Sequence, residues 1–327
     1  VSLAAQNRAQ PGDTLQHWAP RGVVIATSPK GRPIQLADLA SHTSGLPREP
    51  DFEPIPDRAT AVAARWAWLQ RQANLAEPGT RAAYSNAAYD LLADALERAA
   101  GEPYPAALRR WVTGPLGMVD TTPSPNADQC ARLLAPDHRR GDHPCADTAA
   151  NAGSGGVYST ASDMGLWMKR LLAPDHGGSI GEAAQTILYP RGALRSVNGM
   201  DHAGRAAGIG LGWVELEPDV GRPRVLEKTG GGDGFLTYVV LAPEQRIGVF
   251  LAVDKVRPQA FHAITRGGNA LAGVLAGAAP PAAVQYALNE TPQPEAEAEE
   301  PEARPAKAAP RPAAKAHAHR SHRRFKA

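Results

Sequence analysis

The chain has 327 residues, 43% of them apolar, and its 35 basic and 33 acidic residues leave a formal net charge of +2. That length admits one large domain or two small ones, with enough apolar content for a sizeable core. The near balance of charge makes no case for nucleic acid as a partner of the folded part, and no apolar run approaches the ~18 residues of a transmembrane helix.

Residues 34–45 predict a short helix, Leu36 to Ala40, running into a loop from Ser41 to Pro47. A second helix is expected over 60–75, with Trp66, Leu69 and Ala73 on one face. After the turn Glu77-Pro78-Gly79-Thr80, the segment Tyr84-Ser85-Asn86 opens an amphipathic helix. Its Ala88, Leu91, Leu92, Ala95, Leu96 and Ala99 recur at helical spacing, and Gly101 is placed to stop it. A helix around Ala106–Val112 extends this region, and another, Ser162 to Leu172, has an N-cap and an apolar face of Met164, Trp167, Met168 and Leu171. Strand signals dominate from about 209: Gly212 to Leu216, Arg224 to Lys228, then a hairpin of Leu236–Leu241 and Ile247–Val253 turned by Pro243-Glu244-Gln245. Ala260 to Leu275 closes with a helix. Helices first, antiparallel strands next and a last helix predict an α+β layout.

Composition changes near 278, so residues 1–277 are expected to form the folded domain and 278–327 a disordered tail. Residues 290–302 carry six glutamates, and 304–326 carry eight Lys or Arg with three His, all among Pro and Ala. Three readings of the tail stay open: a solubilising extension, an electrostatic tether to anionic cell-envelope surfaces, or metal binding by His317, His319 and His322. The two cysteines, Cys130 and Cys145, flank a polar loop with His138 and His143. A disulfide, worth about 3 kcal/mol for so short a loop, is expected over a zinc site or two free thiols. It points to the periplasm or outside.

Between two β-prone stretches lies Lys228-Thr229-Gly230, continuing Gly231-Gly232-Asp233-Gly234. A cation, a hydroxyl and glycines at a strand edge suit an anionic acyl substrate: the cation meets its carboxylate, the hydroxyl donates to it, and bare backbone lets it approach. Tyr84 and Asn86 are the expected partners. The phenol serves as a proton shuttle if cations depress its pKa from the usual ~10, and the Asn86 amide holds a peptide carbonyl. The plainer alternative is a core tyrosine beside a capping asparagine. For His42 a structural hydrogen-bonding role is expected, and for Asp233 a turn role. Gly153-Ser154-Gly155-Gly156 lacks the following Lys-Ser/Thr of a phosphate cradle.

These segments, with Ser41-His42-Thr43-Ser44-Gly45-Leu46-Pro47, Pro115-Leu116-Gly117-Met118, Gly155 to Met164 and Ile209 to Trp213, resemble the serine penicillin-recognising enzymes, in particular their class C β-lactamase-like branch. Pro47-Arg48-Glu49, Ala83 to Asn86, Asp128-Gln129-Cys130 and Glu227 to Gly232 are similar to its AmpH-type D-alanyl-D-alanine carboxypeptidase/endopeptidases. The resemblance implies a β-lactamase/D,D-peptidase-like fold, with peptidoglycan stem peptides and β-lactams as partners, a periplasmic location and no cofactor or metal. It also implies acyl transfer: Tyr84 in the proton network, Lys228 and Thr229 on the substrate carboxylate, Asn86 on the preceding amide, and Gly231 as one oxyanion donor after Gly230.

One departure stands out. The family's nucleophile is a Ser followed three residues later by a Lys. The residues three places before this chain's lysines are Thr27, Leu166, Val225, Ala252, Arg304, Pro312 and Arg323, so no Ser-x-x-Lys occurs. Thr27-Ser28-Pro29-Lys30 is the nearest, and its Pro argues for a turn. Gly12 to Pro20 resembles the segment that follows the nucleophile helix. The expectation is therefore an N-terminally truncated chain that lacks the family's first helix and first two strands and is itself inactive. Three functions remain open: the D,D-peptidase, a β-lactamase with the same motifs, and a non-catalytic binding protein.

Overall fold

The computed structural model of the protein describes residues 1–27, 31–72, 75–134, 145–175, 177–219, 222–232, 234–254 and 258–279. Val1–Ala282 form one compact unit; the second unit, Ala283–Ala327, lies outside the described residues, as do Ser28–Lys30, Ala73, His138, His143, Asp233 and the three tail histidines.

The first half is helical. Helices α1 (Leu36–Ala40), α2 (Arg58–Arg71) and α3 (Asn86–Ala100) bury Leu39, Trp66, Trp68, Leu69, Leu91 and Ala95 together with Leu15. The Asp57 side chain caps α2 by accepting from the Thr60 N–H, which starts it earlier than its apolar spacing alone predicts. It ends at Arg71, where Gln72 turns extended. Gly101 stops α3 as expected, with φ at 69° and its N–H on the Glu97 carbonyl. The helix expected around Ala106–Val112 is divided into an α-turn, Tyr104–Leu108, and a π-turn, Arg109–Thr113. Inside this region Arg65 grips Asp94 with two bonds of 2.9 and 2.7 Å and donates a third to the Ala150 carbonyl. Both side chains are out of water, so the pair is tolerable only because its polar atoms are matched.

The second half is an antiparallel sheet in the order β2-β4-β5-β6-β7-β8: Ile187–Pro190, Ala206–Gly210, Val214–Leu216, Leu226–Gly232, Phe235–Ala242 and Ile247–Val253. Its two faces follow from alternation along β7. Tyr238 and Val240 pack with Ile264 and Ala272 of the last helix, α5 (Pro258–Leu275), while Val239 and Leu241 pack with Met168 and Leu171 of α4 (Ala161–Leu171). The sheet is thus sandwiched between helices, in the predicted α+β class. The Thr160 side chain caps α4, which starts at Ala161, one residue before the predicted start at Ser162.

The hairpin β7–β8 matches its prediction. Within this sheet two strands have no predicted counterpart: β2, a four-residue edge strand ending in Pro190, and β4, of which only Ile209 and Gly210 fall in the predicted strand region. Pro190 pairs with Gly208, and proline is acceptable in an edge strand because the N–H it lacks can lie on the unpaired side. A separate parallel pair, β1 (Ala82–Ala83) with β3 (Val197–Asn198), ties the start of α3 to the sheet half of the chain.

Candidate active site

Strand β6 is longer than the predicted Arg224–Lys228, because it pairs with β7 all the way to Gly232, opposite Phe235. On its other side β5 reaches only Leu226 and Glu227. Among the described residues, the strand from Lys228 to Gly232 therefore has a paired neighbour on one side only, and its outer backbone groups face an open edge. Such an edge is where an extended peptide can be held by main-chain hydrogen bonds.

Lys228, half-buried, stands on this edge with its Nζ donating to the Thr229 carbonyl at 3.1 Å and 4.7 Å from the centre of the Tyr84 ring. Burial lowers its pKa, and Arg48 adds to that, while the neighbouring Glu227 opposes it. Thr229 lies opposite Tyr238 and Lys228 opposite Val239, so the two side chains leave opposite faces of the strand. The hydroxyl of Thr229 does not simply continue the lysine's surface. Gly230 has a packing reason to be glycine: a Cβ there would stand under 3.0 Å from Thr237 Oγ1, the side chain directly across the ladder. Gly231 and Gly232 are exposed, as bare backbone offered to a ligand requires.

Tyr84 is brought beside Lys228 by the β1–β3 pair, and Asn86 follows it at the start of α3. The Tyr84 N–H donates to the Asn198 carbonyl at 3.1 Å, which carries the turn into α3 past the end of the small sheet. The cap of α3 is Ser85, whose Oγ accepts from the Ala88 N–H at 3.0 Å and donates to the Pro47 carbonyl at 2.6 Å. Asn86 is therefore not the capping residue, and its side chain is released toward the surface. There its Nδ2 donates to Glu49 Oε1 at 2.5 Å. Tyr84 is half-buried rather than a core tyrosine. Burial pushes its phenol up, Arg48 only partly offsets that, and Glu49 adds to it, so the condition set for a proton shuttle, a phenol depressed by cations, is not met.

His42 supports this arrangement without being part of a Ser-His-Asp relay. Its ring lies between Tyr84 and Tyr89, with centroids at 4.5 and 4.7 Å, on a backbone with φ at 56°. Nδ1 accepts the Ser85 N–H at 3.1 Å, so the proton of the neutral ring sits on Nε2. Burial, then Lys228 and Arg48, bring its pKa down to about 3, which keeps the ring neutral at ordinary pH.

Arg48 and Glu49 belong to the site although the sequence assigned them no role. The Arg48 carbonyl accepts the N–H groups of Asn86 (2.8 Å) and Ala87 (3.1 Å), and its guanidinium lies 4.9 Å from the Tyr84 ring centre. Two cations thus flank one phenol. The available signal was Pro47 followed by two charged residues directly after the buried Ser41–Leu46 loop, a pattern that does not say which helix the loop will meet.

Away from the site, Cys130 and Cys145 are bonded, with Cα atoms 5.5 Å apart. That removes both thiolates from the alternative zinc site. Among the described residues no group of three or more His, Cys, Asp or Glu is placed to hold a metal ion, and no helix is long and apolar enough to cross a membrane.

Residues 1–273 match the Beta-lactamase family. The D-alanyl-D-alanine-carboxypeptidase/endopeptidase AmpH of Escherichia coli K12 is 43% identical over 289 residues, covering 86% of this chain and 73% of that protein. The crystal structure of a beta-lactamase/D-alanine carboxypeptidase from Yersinia pestis, complexed with citrate, is 44% identical with a TM-score of 0.77, covering 84% of this chain and 79% of that one. A class C beta lactamase from Rhodobacter sphaeroides shares the fold, with a TM-score of 0.62 at 22% identity over 82% of this chain and 80% of that one.

Proposed function

The chain belongs to the beta-lactamase family, and from that premise we propose that its cleft is the substrate-binding part of a serine-type D-alanyl-D-alanine carboxypeptidase/endopeptidase acting on peptidoglycan stem peptides. The observation that carries this reading is the meeting of Lys228, on the unpaired stretch of β6, with Tyr84 at the entrance of α3, two residues before Asn86. An extended peptide laid along Lys228–Gly232 meets a cation for its terminal carboxylate, and the Thr229 hydroxyl, on the strand's other face, can donate to that carboxylate only at the open edge that both faces share. Its preceding amide faces Asn86, and the Gly231 N–H serves as one oxyanion donor. Such peptides are in the cell envelope, and the bonded cysteine pair supports a periplasmic location. The tail, 278–327, is an appendage to the domain of residues 1–277, and its basic part is a contact for anionic envelope surfaces.

Acyl transfer needs a nucleophile, and these 327 residues hold no Ser-x-x-Lys. As it stands the polypeptide binds such ligands without forming an acyl-enzyme. Tyr84, with its phenol raised by burial, is proton-bearing at neutral pH and acts as a donor in the proton network once a nucleophile is present. A β-lactamase would use the same groups, and the Yersinia structure carries both descriptions in its name. Relative hydrolysis rates of the acyl-enzymes separate the two.

Two measurements test the reading. Intact-mass analysis of the 327-residue chain with benzylpenicillin should show no covalent adduct; an adduct would mean that another serine acts as nucleophile. A chain carrying the family's Ser-x-x-Lys helix upstream should release D-alanine from a D-alanyl-D-alanine peptide. Lys228→Ala should then lower kcat/KM by about one to two decades, the loss of a charged hydrogen bond of ~1.5–3 kcal/mol. Undiminished turnover in Lys228→Ala would refute the assignment of the carboxylate to that residue.

A further inference from the structure

The loop Pro47-Arg48-Glu49 is fastened to the entrance of α3 at four points. The Pro47 carbonyl accepts from Ser85 Oγ, the Arg48 carbonyl accepts two N–H groups, and Glu49 Oε1 accepts from Asn86 Nδ2. A loop held this way presents its side chains at fixed places on the cleft rim. Arg48 remains 65% exposed and Glu49 55%, with Arg48 Nε 3.8 Å from Glu49 Oε1, longer than a hydrogen bond. The rim cation is thus only loosely matched by its neighbour, whose nearer oxygen, Oε1, accepts from Asn86. Its positive charge reaches inward: it opposes protonation of both Lys228 and His42 and favours ionisation of Tyr84.

We propose that Arg48 is a specificity-determining residue, a second anion-binding cation that takes a carboxylate on the acyl side of the scissile bond while Lys228 takes the terminal one. This rests on the function proposed above. The side follows from bonding: Asn86 is assigned to the amide before the scissile bond, and both Glu49 and the Arg48 backbone are bonded to Asn86. The cleft then favours D-alanyl-D-alanine compounds whose acyl portion carries a negative charge. A guanidinium suits the task because it offers several donors in a plane to a carboxylate.

The test is equilibrium binding to the 327-residue chain of two probes, N-acetyl-D-alanyl-D-alanine, with one carboxylate, and N-succinyl-D-alanyl-D-alanine, with two. Arg48→Gln should weaken the succinyl compound about fivefold, the upper range for an exposed charge pair, and leave the acetyl compound within about twofold. The difference should shrink between ~0.05 and ~0.5 M salt as screening shortens. Glu49→Gln keeps an acceptor for Asn86 and frees Arg48, so it should tighten the succinyl compound, a gain that misfolding cannot imitate. Lys228→Gln should weaken both probes. Equal effects of Arg48→Gln on the two probes, or none, would overturn the proposal while leaving the cleft assignment intact. Failure of the unmodified chain to bind either probe would refute the functional reading and this inference with it.

Discussion

Replacing Gly230 by alanine separates a packing requirement from a substrate requirement at the same position. An ideal Cβ on Gly230 would lie under 3.0 Å from Thr237 Oγ1 but 3.7 Å from Thr237 Cβ, which is ordinary contact. The obstruction is therefore one hydroxyl oxygen on the paired strand. Either Thr237 changes rotamer or β6 retreats from β7, and overpacking of this kind costs about 1–3 kcal/mol. The backbone of Gly230 has no positive φ, so alanine is otherwise admissible there. Removing glycine's freedom from the unfolded chain contributes a stabilisation of ~0.4–1 kcal/mol. In a Thr237→Ala background the oxygen is gone, and the sign of Gly230→Ala should reverse from loss to small gain. Urea denaturation of the four proteins in a double-mutant cycle reads this directly, with an expected coupling of about 1–3 kcal/mol, the overpacking cost alone, since the unfolded-state gain is common to both backgrounds. Additive effects would refute the reasoning and leave substrate access as the reason for the glycine.

Reducing Cys130–Cys145 should lower Tm by several degrees, since a bridge across this short separation contributes about 2–4 kcal/mol; an unchanged melt with two alkylated thiols would show that the loop is not constrained by it. His42 has its pKa lowered to about 3, against ~6.5 unfolded, so the stability it contributes is complete above pH ~6.5 and is lost as pH falls toward 3. His42→Gln should flatten the acid limb of stability against pH, and a limb of unchanged slope would mean that the ring titrates freely. Glu227 behaves oppositely: buried, with no partner for Oε2, its carboxyl is pushed up to about 8 by desolvation, which Lys228 only partly counters. The unfolded state loses that proton first, so stability from this group is complete below pH ~4.5 and is lost as pH rises through 8. Glu227→Gln should raise Tm more at pH 9 than at pH 4.5, and an equal shift at both would refute a neutral buried carboxyl.

Local pattern alone determined a good deal of this protein. The α3 helix was legible from apolar spacing and Gly101, the β7–β8 hairpin from alternation and its turn, and the α+β class from their order, because each signal lies within a dozen or so residues. Lys228, Tyr84 and Asn86 were legible as residue types whose chemistry fits together. The meeting of Tyr84 with Lys228 was decided by tertiary structure: the two-residue β1–β3 pair, too short to leave a periodic signal, carries Tyr84 to the edge of β6. Burial, which no local pattern reports, raised the Tyr84 phenol despite the cations beside it, and held His42 neutral. The same holds for capping and packing. Ser85 took the cap and released Asn86 to Glu49, while Thr237, on the neighbouring strand, supplied a second reason for the glycine at 230. Arg48 became part of the cleft only because its loop is bonded to a helix that begins far along the chain, and such long-range bonds are set by the closure of the core.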